Sequence, residues 1–590
     1  MNERRWIRTV CGLALGLLLL TADSSSGQKL KINPNPQAPQ VNILPQLGLL
    51  RGGSVELELT GARLNEPTGV WTDIPGAKAT IPTDNNNGKD QAKLRIKLEI
   101  PKETEPGYHA FRLATQAGIS NLRLIYVDEL PPVVSTGKNR SLESAQPVNV
   151  PCAVSGRIDP EASNYFKFQA KAGERLSFEV LGQRLGSTLD PQLTLFDAKG
   201  RELPGAHSND APGLQTDPRL THTFKEAGDY LVQVRDAQYK GGGEHGYLLR
   251  IGDFPCATTP LPLAAKRGSK TTISFAGTSV DGAPAVQLQV PADPQASAVW
   301  VFPRGKNGLP GSPVELLVSD VDEVLEQEPN NEPAKATRIP VPGAVTARFL
   351  EKGDRDDFVF TAKQGQAFAI EAQTHERHSP AEIYLIIKDA KGKELAKTNP
   401  AQPARLNFTA PADGDYHLVV EHLLYWFGPN EVYRLVVQPV EPDFELELGL
   451  DRYDIPQGDG AAVPILIDRK GYDGPIELNT VGNPAITGKI MVPAGQTQSL
   501  LYLTAKPDLP MGAYNVAIQG KGMVDGKPLV RRAESRFTIG QSLGGMIYPH
   551  LALLDQVGIA IAEKPPFTLT VKLEPAESAR GQNVNLTVTA

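Results

Sequence analysis

Residues 356–395 read DDFVFTAKQGQAFAIEAQTHERHSPAEIYLIIKDAKGKEL, and this stretch decides the fold because the chain contains it twice. The copy lies 192 residues earlier, at 164–203, and repeats the alternating Phe pair and the DAKG tetrapeptide without a gap. Alternation with a period of two predicts β-strands, and DAKG supplies the Asp and Gly of a tight turn between two of them. Short strands with regular turn signals predict a sandwich of antiparallel sheets instead of a parallel sheet covered by helices.

The repeat extends beyond this stretch and organises the whole chain. GDY at 228–230 matches GDY at 414–416, and a strand-rich segment precedes each copy. A second alternating pattern begins at Phe444 and returns at Phe567, where only two strands remain before the sequence stops, so we expect this last copy to be incomplete. The predicted layout is a signal peptide at 1–22, β-domains at 38–130 and 253–322, sandwiches at 138–252 and 323–438, a further β-domain at 441–540 and the start of its copy at 563–590.

Composition and charge narrow the class of protein. The 590 residues include 55 Gly and 50 Pro, which disfavour long helices. The net charge of −7 and the lack of a basic stretch in the sequence argue against nucleic acid as a partner.

The first residues are typical of an export signal. Arg4, Arg5 and Arg8 precede an apolar run at 10–20, and small and polar residues follow at 21–24. The apolar run is about eleven residues long, whereas a membrane span needs about twenty, so we predict a cleaved signal peptide and no transmembrane segment in the mature chain. The protein is therefore expected to be secreted, periplasmic or attached to the cell surface.

Two cysteines follow the signal, Cys152 and Cys256, near the two ends of the first sandwich. Export permits a disulfide between them. Sequence does not supply the Cα separation that a disulfide requires, so a bond and two buried free thiols are open alternatives.

Three motifs of the second copy carry a family resemblance: EQEPNN at 326–331, GDRDDFVF at 353–360 and GDY at 414–416. They resemble the bacterial pre-peptidase C-terminal domain, and the first copy matches the same pattern more weakly. The resemblance implies jelly-roll-like β-sandwiches of a kind attached to secreted proteases and other exported enzymes. The segments before each copy are similar to TIG-type immunoglobulin-like domains, and the arrangement is similar to large exported proteins of planctomycete-type bacteria. The expected fold class is all-β, a string of jelly-roll-like and immunoglobulin-like sandwiches.

The same motifs gather side chains that suit calcium. Ca²⁺ prefers about six to eight oxygen ligands, and alternate residues of an extended segment point the same way, so positions 326, 328 and 330 can face one ion. Collagen-binding members of the family hold calcium at this motif, and the resemblance carries that role to this chain. The alternative is a solvated acidic linker without an ion. The predicted ligands are Glu326, Glu328, Asn330, Asn331, Asp354 and Asp356.

The first copy offers an internal comparison for this site. Ser135 and Gly137 stand where the second copy has its two glutamates, Arg140 replaces Asn331, and Asn164 replaces Asp356. Because carboxylates are lost and a positive charge is gained, we predict that the first copy binds no calcium.

Tyr425, Trp426 and Phe427 form the densest aromatic run of the sequence, between the last two strands of the second copy. Aromatic side chains are enriched at binding surfaces, which suggests contact with a ligand. Packing against the core or against the next domain is the alternative explanation.

Two short motifs resemble catalytic signatures. GQSLG at 540–544 fits the G-x-S-x-G pattern of a nucleophile elbow, but that elbow needs an α/β sheet, so a flexible joint is the better interpretation here. HERH at 375–378 lies in a loop between strands and lacks further metal ligands nearby. We therefore predict that the chain contains no catalytic site.

These observations predict an exported, non-catalytic protein whose domains serve as binding, spacing or targeting modules for an extracellular protein or polysaccharide. The alternative is the N-terminal accessory region of a secreted hydrolase, most plainly a protease, whose catalytic domain lies beyond residue 590.

Overall fold

The computed structural model of the chain describes residues 33–564, 570–574 and 585–589, and it is an all-β protein. The predicted signal peptide at 1–22 and much of the predicted segment 563–590 lie outside these residues. Among the described residues, two short α-helices occur, α1 at Arg536–Ser542 and α2 at Leu551–Leu554. In the described part of the chain, neither these helices nor any other is long and apolar enough to cross a bilayer.

The N-terminal unit, residues 40–128, consists of two sheets around one core. Alternate residues of its strands, such as Leu57, Leu59 and Ile96, are buried, as expected for a sheet with one solvated face. The sheet orders are β1-β3-β6-β5 and β2-β9-β7-β4, with β8 beside β7. The strands are β1 Gln40–Val41, β2 Gly48–Leu50, β3 Ser54–Ala62, β4 Pro67–Thr72, β5 Lys78–Thr80, β6 Lys93–Glu99, β7 Gly107–Thr115, β8 Gly118–Ile119 and β9 Arg123–Asp128.

The first sandwich, residues 132–252, packs two five-stranded sheets face to face. Its core contains the alternating Phe166 and Phe168 of the repeat. The sheet orders are β10-β12-β19-β14-β17 and β11-β13-β18-β15-β16. The strands are β10 Pro132–Val134, β11 Gln146–Pro147, β12 Cys152–Arg157, β13 Ser163–Ala170, β14 Arg175–Leu181, β15 Pro191–Asp197, β16 Glu202–Ser208, β17 Arg219–Thr223, β18 Gly228–Asp236 and β19 Gly246–Gly252.

The middle unit, residues 256–319, is smaller and contains two three-stranded sheets, ordered β20-β22-β23 and β21-β25-β24. Its strands are β20 Cys256–Leu261, β21 Ala264–Lys266, β22 Lys270–Thr278, β23 Val286–Gln289, β24 Ala298–Val301 and β25 Val314–Ser319.

The second sandwich, residues 322–439, has the same topology as the first, strand for strand. Its sheets are ordered β26-β28-β35-β30-β33 and β27-β29-β34-β31-β32, and Phe358 and Phe360 occupy the core positions of the first copy's Phe pair. The strands are β26 Asp322–Leu325, β27 Thr337–Arg338, β28 Gly343–Arg348, β29 Arg355–Ala362, β30 Ala367–Gln373, β31 Ile383–Asp389, β32 Glu394–Lys397, β33 Arg405–Thr409, β34 Gly414–His422 and β35 Val432–Pro439.

The C-terminal unit, residues 443–562, extends beyond the predicted boundary at 540. Its last strand comes after the segment 535–556 and pairs with two earlier strands of the unit, β37 and β43, so residue 540 is not a domain end. The strands are β36 Asp443–Leu448, β37 Arg452–Pro456, β38 Gly460–Lys470, β39 Ile476–Val481, β40 Ile486–Thr487, β41 Lys489–Val492, β42 Gln498–Ala505, β43 Gly512–Val524, β44 Lys527–Glu534 and β45 Val557–Ala562. Beyond it, β46 Thr570–Glu574 pairs with β47 Asn585–Thr589.

The units pack against one another through buried ion pairs. The fully buried Arg250 of β19 donates to Asp128 of the N-terminal unit at 2.7 Å, to Glu179 of its own sandwich at 3.2 Å and to the Pro310 carbonyl of the middle unit at 2.7 Å. Such charges are stable in the interior only when they are paired and fully hydrogen-bonded. The sandwiches of this chain are therefore joined by specific interfaces and not by open linkers.

The segment 535–556 is part of these interfaces. Ile539, Leu543, Met546 and Leu553 are buried in the same core as residues of the N-terminal unit. The predicted flexible joint at 540–544 is therefore wrong: α1 and the following turn are held by apolar burial against neighbouring units.

The two cysteines are free thiols, so the disulfide alternative is wrong. Cys152 lies in the core of the first sandwich, whereas Cys256 lies in the core shared with the N-terminal unit. Because each side chain points into a different core, both remain buried and unbonded.

Candidate functional site

Three carboxylates converge at one end of the second sandwich. Glu326 follows the last residue of β26, Glu328 lies two residues further on, and Asp356 is the second residue of β29. Each contributes an oxygen, and the three oxygens lie within 4.8 Å of one another. We call Glu326, Glu328 and Asp356 the carboxylate cluster.

The sheet holds Glu326 in place through its backbone and one carboxylate oxygen. Its N–H donates to the Thr346 carbonyl at 3.0 Å, and its Oε1 accepts from the Arg348 N–H at 2.7 Å. Its Oε2 is shut off from solvent and has no hydrogen-bond partner among the described residues. A buried, ionised carboxylate oxygen without a donor is costly, and either a proton or a bound cation relieves this cost.

Asp356 is fully buried, and the hydroxyl of Tyr433 on β35 donates to its Oδ2. Burial, with added repulsion from Asp354 and Glu328, raises the pKa of Asp356 to about 8. Burial and repulsion from Asp356 and Glu328 raise the pKa of Glu326 to about 9. Carboxyl groups this close repel one another when ionised, and a divalent cation would hold them ionised together.

The two asparagines fall in different places. Asn330 is buried, and one end of its amide lies 3.1 Å from Glu328 Oε2 and 3.1 Å from Asp356 Oδ1. If the amide nitrogen occupies this end, it donates to both carboxylates. If the amide oxygen occupies it, Asn330 adds a fourth oxygen to the cluster. The Asn331 amide instead lies 3.2 Å from Asp354 Oδ1.

Asp354 closes a turn beside the cluster. Its Oδ2 accepts from the Leu350 N–H at 2.6 Å, and its Oδ1 accepts from the Arg355 N–H at 3.0 Å. Of the six predicted ligands, the structure thus brings together Glu326, Glu328, Asn330 and Asp356, and places Asp354 and Asn331 next to them.

In the first sandwich, none of the positions equivalent to the three clustered carboxylates is acidic: they are Ser135, Gly137 and Asn164. Asn164 donates from Nδ2 to the Tyr247 hydroxyl at 2.8 Å, where the second sandwich has Tyr433 donating to Asp356. Asn139 accepts from the Ser135 hydroxyl at 3.1 Å, and Arg140 pairs with Asp159. The fold is thus the same in both copies, and the carboxylates occur in one of them.

The predicted aromatic run is exposed. The exposed fractions are 73% for Tyr425, 56% for Trp426 and 50% for Phe427, and the preceding Leu424 is 48% exposed. The packing alternative is therefore wrong. We call Leu424, Tyr425, Trp426 and Phe427, which lie between β34 and β35, the aromatic loop.

The aromatic loop is held from beneath by a buried histidine. His422 Nδ1 accepts from the N–H groups of Leu424 at 3.0 Å and Trp426 at 3.3 Å, and its Nε2 lies 3.2 Å from Glu431 Oε2 and 3.3 Å from the Glu382 N–H. Tyr425 adopts φ of +57°, a left-handed conformation that costs a bulky residue about 1–2 kcal/mol. The hydrogen bonds fix this strained backbone and direct the side chains outward.

Phe349 connects the aromatic loop with the carboxylate cluster. Its carbonyl accepts from the Gly428 N–H at 2.9 Å, and its ring lies 5.4 Å from His422 and 5.1 Å from Tyr433, measured between centroids. Since Tyr433 donates to Asp356, the two features lie at the same end of the sandwich and share a packed aromatic layer.

A cleft of about 1630 Å³ opens between the second sandwich and the C-terminal unit, with α1 and the turn after it among its lining. Leu423, the residue before the aromatic loop, lies at this cleft, and the carboxylate cluster does not. The walls of the cleft carry both positive and negative side chains, largely in ion pairs such as Glu371 with Arg405 and Asp443 with Arg531.

The HERH and GQSLG motifs both lie where units of the chain meet. HERH at 375–378 contains a short 3₁₀ turn, His375–Arg377, in which His375 faces Glu382 at 3.1 Å. The His378 ring lies 6.4 Å from that of His550, and burial lowers their pKa values to about 4 and about 3, so both are neutral at pH 7. These rings fill a junction between units.

Sequence reasoning missed two groups that complete the site, Tyr433 and His422. Tyr433 was detectable, because it matches Tyr247 in the repeat and so marks a shared buried position. His422 had no such signal, because its role depends on the path of the loop that follows it.

Comparisons with known proteins identify no family. No family model matches the sequence, and no curated protein matches it. Solved structures that match include the pre-peptidase C-terminal domain of a collagenase from Bacillus anthracis, at 14% identity over 18% of this chain and 93% of that chain, with a TM-score of 0.16. The M60 catalytic domain with two CBM51 domains from Clostridium perfringens ZmpB matches at 11% identity over 70% and 56%, with a TM-score of 0.13.

A further match is the N-terminal four Ig domains of Dscam1 isoform 8.4, at 12% identity over 84% of this chain and 99% of that chain, with a TM-score of 0.16. Matches at this level do not place the chain in a family.

Proposed function

We propose that the chain is an exported, non-catalytic protein of β-sandwich modules, and that its second sandwich is a binding module stabilised by Ca²⁺. The observation that carries the proposal is the buried, unpartnered Glu326 Oε2 facing two further carboxylates. The donors present are oxygens, which is the ligand type that Ca²⁺ prefers.

Glu326, Glu328 and Asp356 would hold the ion, with the Asn330 amide oxygen beside them. When bound, Ca²⁺ supplies positive charge that keeps the three carboxyls ionised. The residues that hold it come from two elements, the segment after β26 and the strand β29. Their common attachment would hold the segment after β26 against β29 within the second sandwich.

The aromatic loop is the part of this module that we assign to ligand contact. Its side chains are exposed on a backbone that is fixed by His422, so little conformational entropy is lost on binding. The motif resemblance to pre-peptidase C-terminal domains supports the same role, with two copies of which the second holds the calcium ligands. An extracellular protein or polysaccharide is the partner class that this resemblance suggests.

Calcium titration of the full chain by calorimetry tests the proposal. We expect one site per chain with a Kd of about 10⁻⁴–10⁻³ M, the range of extracellular calcium modules. Glu326→Gln should weaken binding at least tenfold, whereas Glu202→Gln, an exposed glutamate of the first sandwich, should leave it unchanged. An affinity that Glu326→Gln does not alter would contradict the proposal.

A further inference from the structure

We propose that the aromatic loop docks on an uncharged or zwitterionic lipid surface. This inference rests on the exposure and chemistry of the loop and does not require calcium. It names a partner different from the protein or polysaccharide that the motif resemblance suggests.

The chemistry of the loop favours lipid over a sugar polymer. Residues 423–429 read LLYWFGP, and the Tyr hydroxyl and the Trp indole N–H are their side-chain polar atoms. A site for a sugar needs several placed polar groups around an aromatic ring to bind its hydroxyls. Leu, Phe, Trp and Tyr together are instead the residues that enter the boundary between head groups and acyl chains, where Trp and Tyr keep their polar atoms in the hydrated layer.

The area of the loop favours lipid over a protein partner. An aromatic side chain buries about 150–250 Å² when fully covered. With the exposed fractions of the loop, and with Leu350 on the neighbouring turn 41% exposed, the apolar patch amounts to roughly 500 Å². One side of a standard protein interface needs about 800 Å², whereas a small apolar patch is enough for reversible insertion into a bilayer.

Charge selects the type of lipid. The loop itself carries no charge, and the chain has a net charge of −7. An anionic surface would repel a chain of this net charge, whereas a zwitterionic surface would not.

The first sandwich shows that this surface is not a requirement of the fold. The loop between β18 and β19 spans 237–245 and reads AQYKGGGEH, with glycines and polar residues in place of the apolar run. Tyr239 is its exposed aromatic residue, at 51%, and the Arg235 guanidinium covers its ring at 4.6 Å. Of the two sandwiches, the second has the apolar loop and the first does not.

Co-sedimentation of the full chain with phosphatidylcholine vesicles in EGTA tests the inference. We expect reversible binding that changes little between 0.1 and 0.5 M NaCl, because the contact is uncharged. The double variant W426S/F427S should partition at least tenfold more weakly, and Y239S in the first sandwich should bind like the wild type. The wild-type minus W426F difference spectrum should show emission at shorter wavelength when vesicles are added.

Several results would overturn the inference. The wild type could fail to bind vesicles, or W426S/F427S could bind them as well as the wild type does. Sedimentation could instead show a dimer that depends on the loop, or the loop could bind collagen or a polysaccharide while the chain does not bind vesicles. An unchanged thermal transition of W426S/F427S establishes that the variant is folded. Calcium titration is scored separately, so a failure of the lipid inference and a failure of the calcium site are distinguishable.

Discussion

Replacing Asp356 with Asn should remove calcium-dependent stabilisation while preserving the fold. The first sandwich shows why the fold survives, because Asn164 occupies the same place and hydrogen-bonds Tyr247 at 2.8 Å. In the variant, Tyr433 keeps an amide partner at this position. What is lost is one of the three carboxylates that hold the ion.

The size of the effect follows from mass action. With a Kd of about 10⁻⁴–10⁻³ M, 10 mM Ca²⁺ stabilises the folded site by about 1.4–2.7 kcal/mol. We expect this increment in the wild type and less than about 0.3 kcal/mol in Asp356→Asn.

Without calcium at alkaline pH, Asp356→Asn should raise the stability of the folded chain relative to the wild type, or leave it unchanged. The pKa of Asp356 is raised to about 8 by burial, above its value in the unfolded chain, so the folded state binds the proton more tightly. Stability therefore falls as pH rises from about 4 to 8, and Asp356→Asn removes this loss. At pH 8 without calcium, the variant should be at least as stable as the wild type.

Amide hydrogen exchange of residues 322–362 in the full chain measures both effects locally. Calcium should slow exchange in the wild type and not in Asp356→Asn. Equal protection by calcium in both chains would refute the assignment of Asp356 as a ligand.

Three further predictions concern the site and the fold. Calcium binding at pH 7 should release roughly two protons, because Glu326 and Asp356 have pKa values of about 9 and about 8. Calorimetry in two buffers of different ionisation enthalpy measures the number of protons released. A release near zero would contradict the expectation that these two carboxyls are protonated before calcium binds. Arg250→Ala should cost about 3–5 kcal/mol in urea unfolding because it leaves Asp128 buried without its cation and removes one of the three arginines that pair with Glu179, whereas the exposed Arg338→Ala should cost less than about 1 kcal/mol; equal costs would contradict the buried network. Both Cys152 and Cys256 should react with a thiol reagent only after unfolding, and an intact mass lower by two hydrogen atoms would reveal a disulfide instead.

The sandwiches were predictable because their signal is local. The alternating Phe pair and the DAKG turn specify strands at fixed spacing, and a repeat of that spacing implies a repeat of the topology. The identical strand order of the two copies confirms this reasoning.

The boundary of the C-terminal unit was not predictable in the same way. Its last strand, β45, is separated from its partner β43 by the segment 535–556, whose Ile539 and Leu543 are buried by a different unit. Burial that depends on residues hundreds of positions away leaves no periodic pattern in the segment itself, so GQSLG resembled a joint.

The candidate site was predictable in composition and less so in arrangement. Carboxylates at alternate positions indicated that Glu326 and Glu328 face one another, but Asp354 is used to close a turn. An aromatic run does not reveal whether it is buried, and the outward direction of Trp426 depends on two hydrogen bonds to His422 that only the folded loop forms.

Anomalous diffraction from crystals of the full chain grown with Ca²⁺ tests the central claim most directly. We predict a single strong peak in the second sandwich, with oxygens of Glu326, Glu328 and Asp356 at about 2.3–2.6 Å, and no peak at Asn164 in the first. The account is contradicted if calcium-saturated crystals show no peak at these three carboxylates.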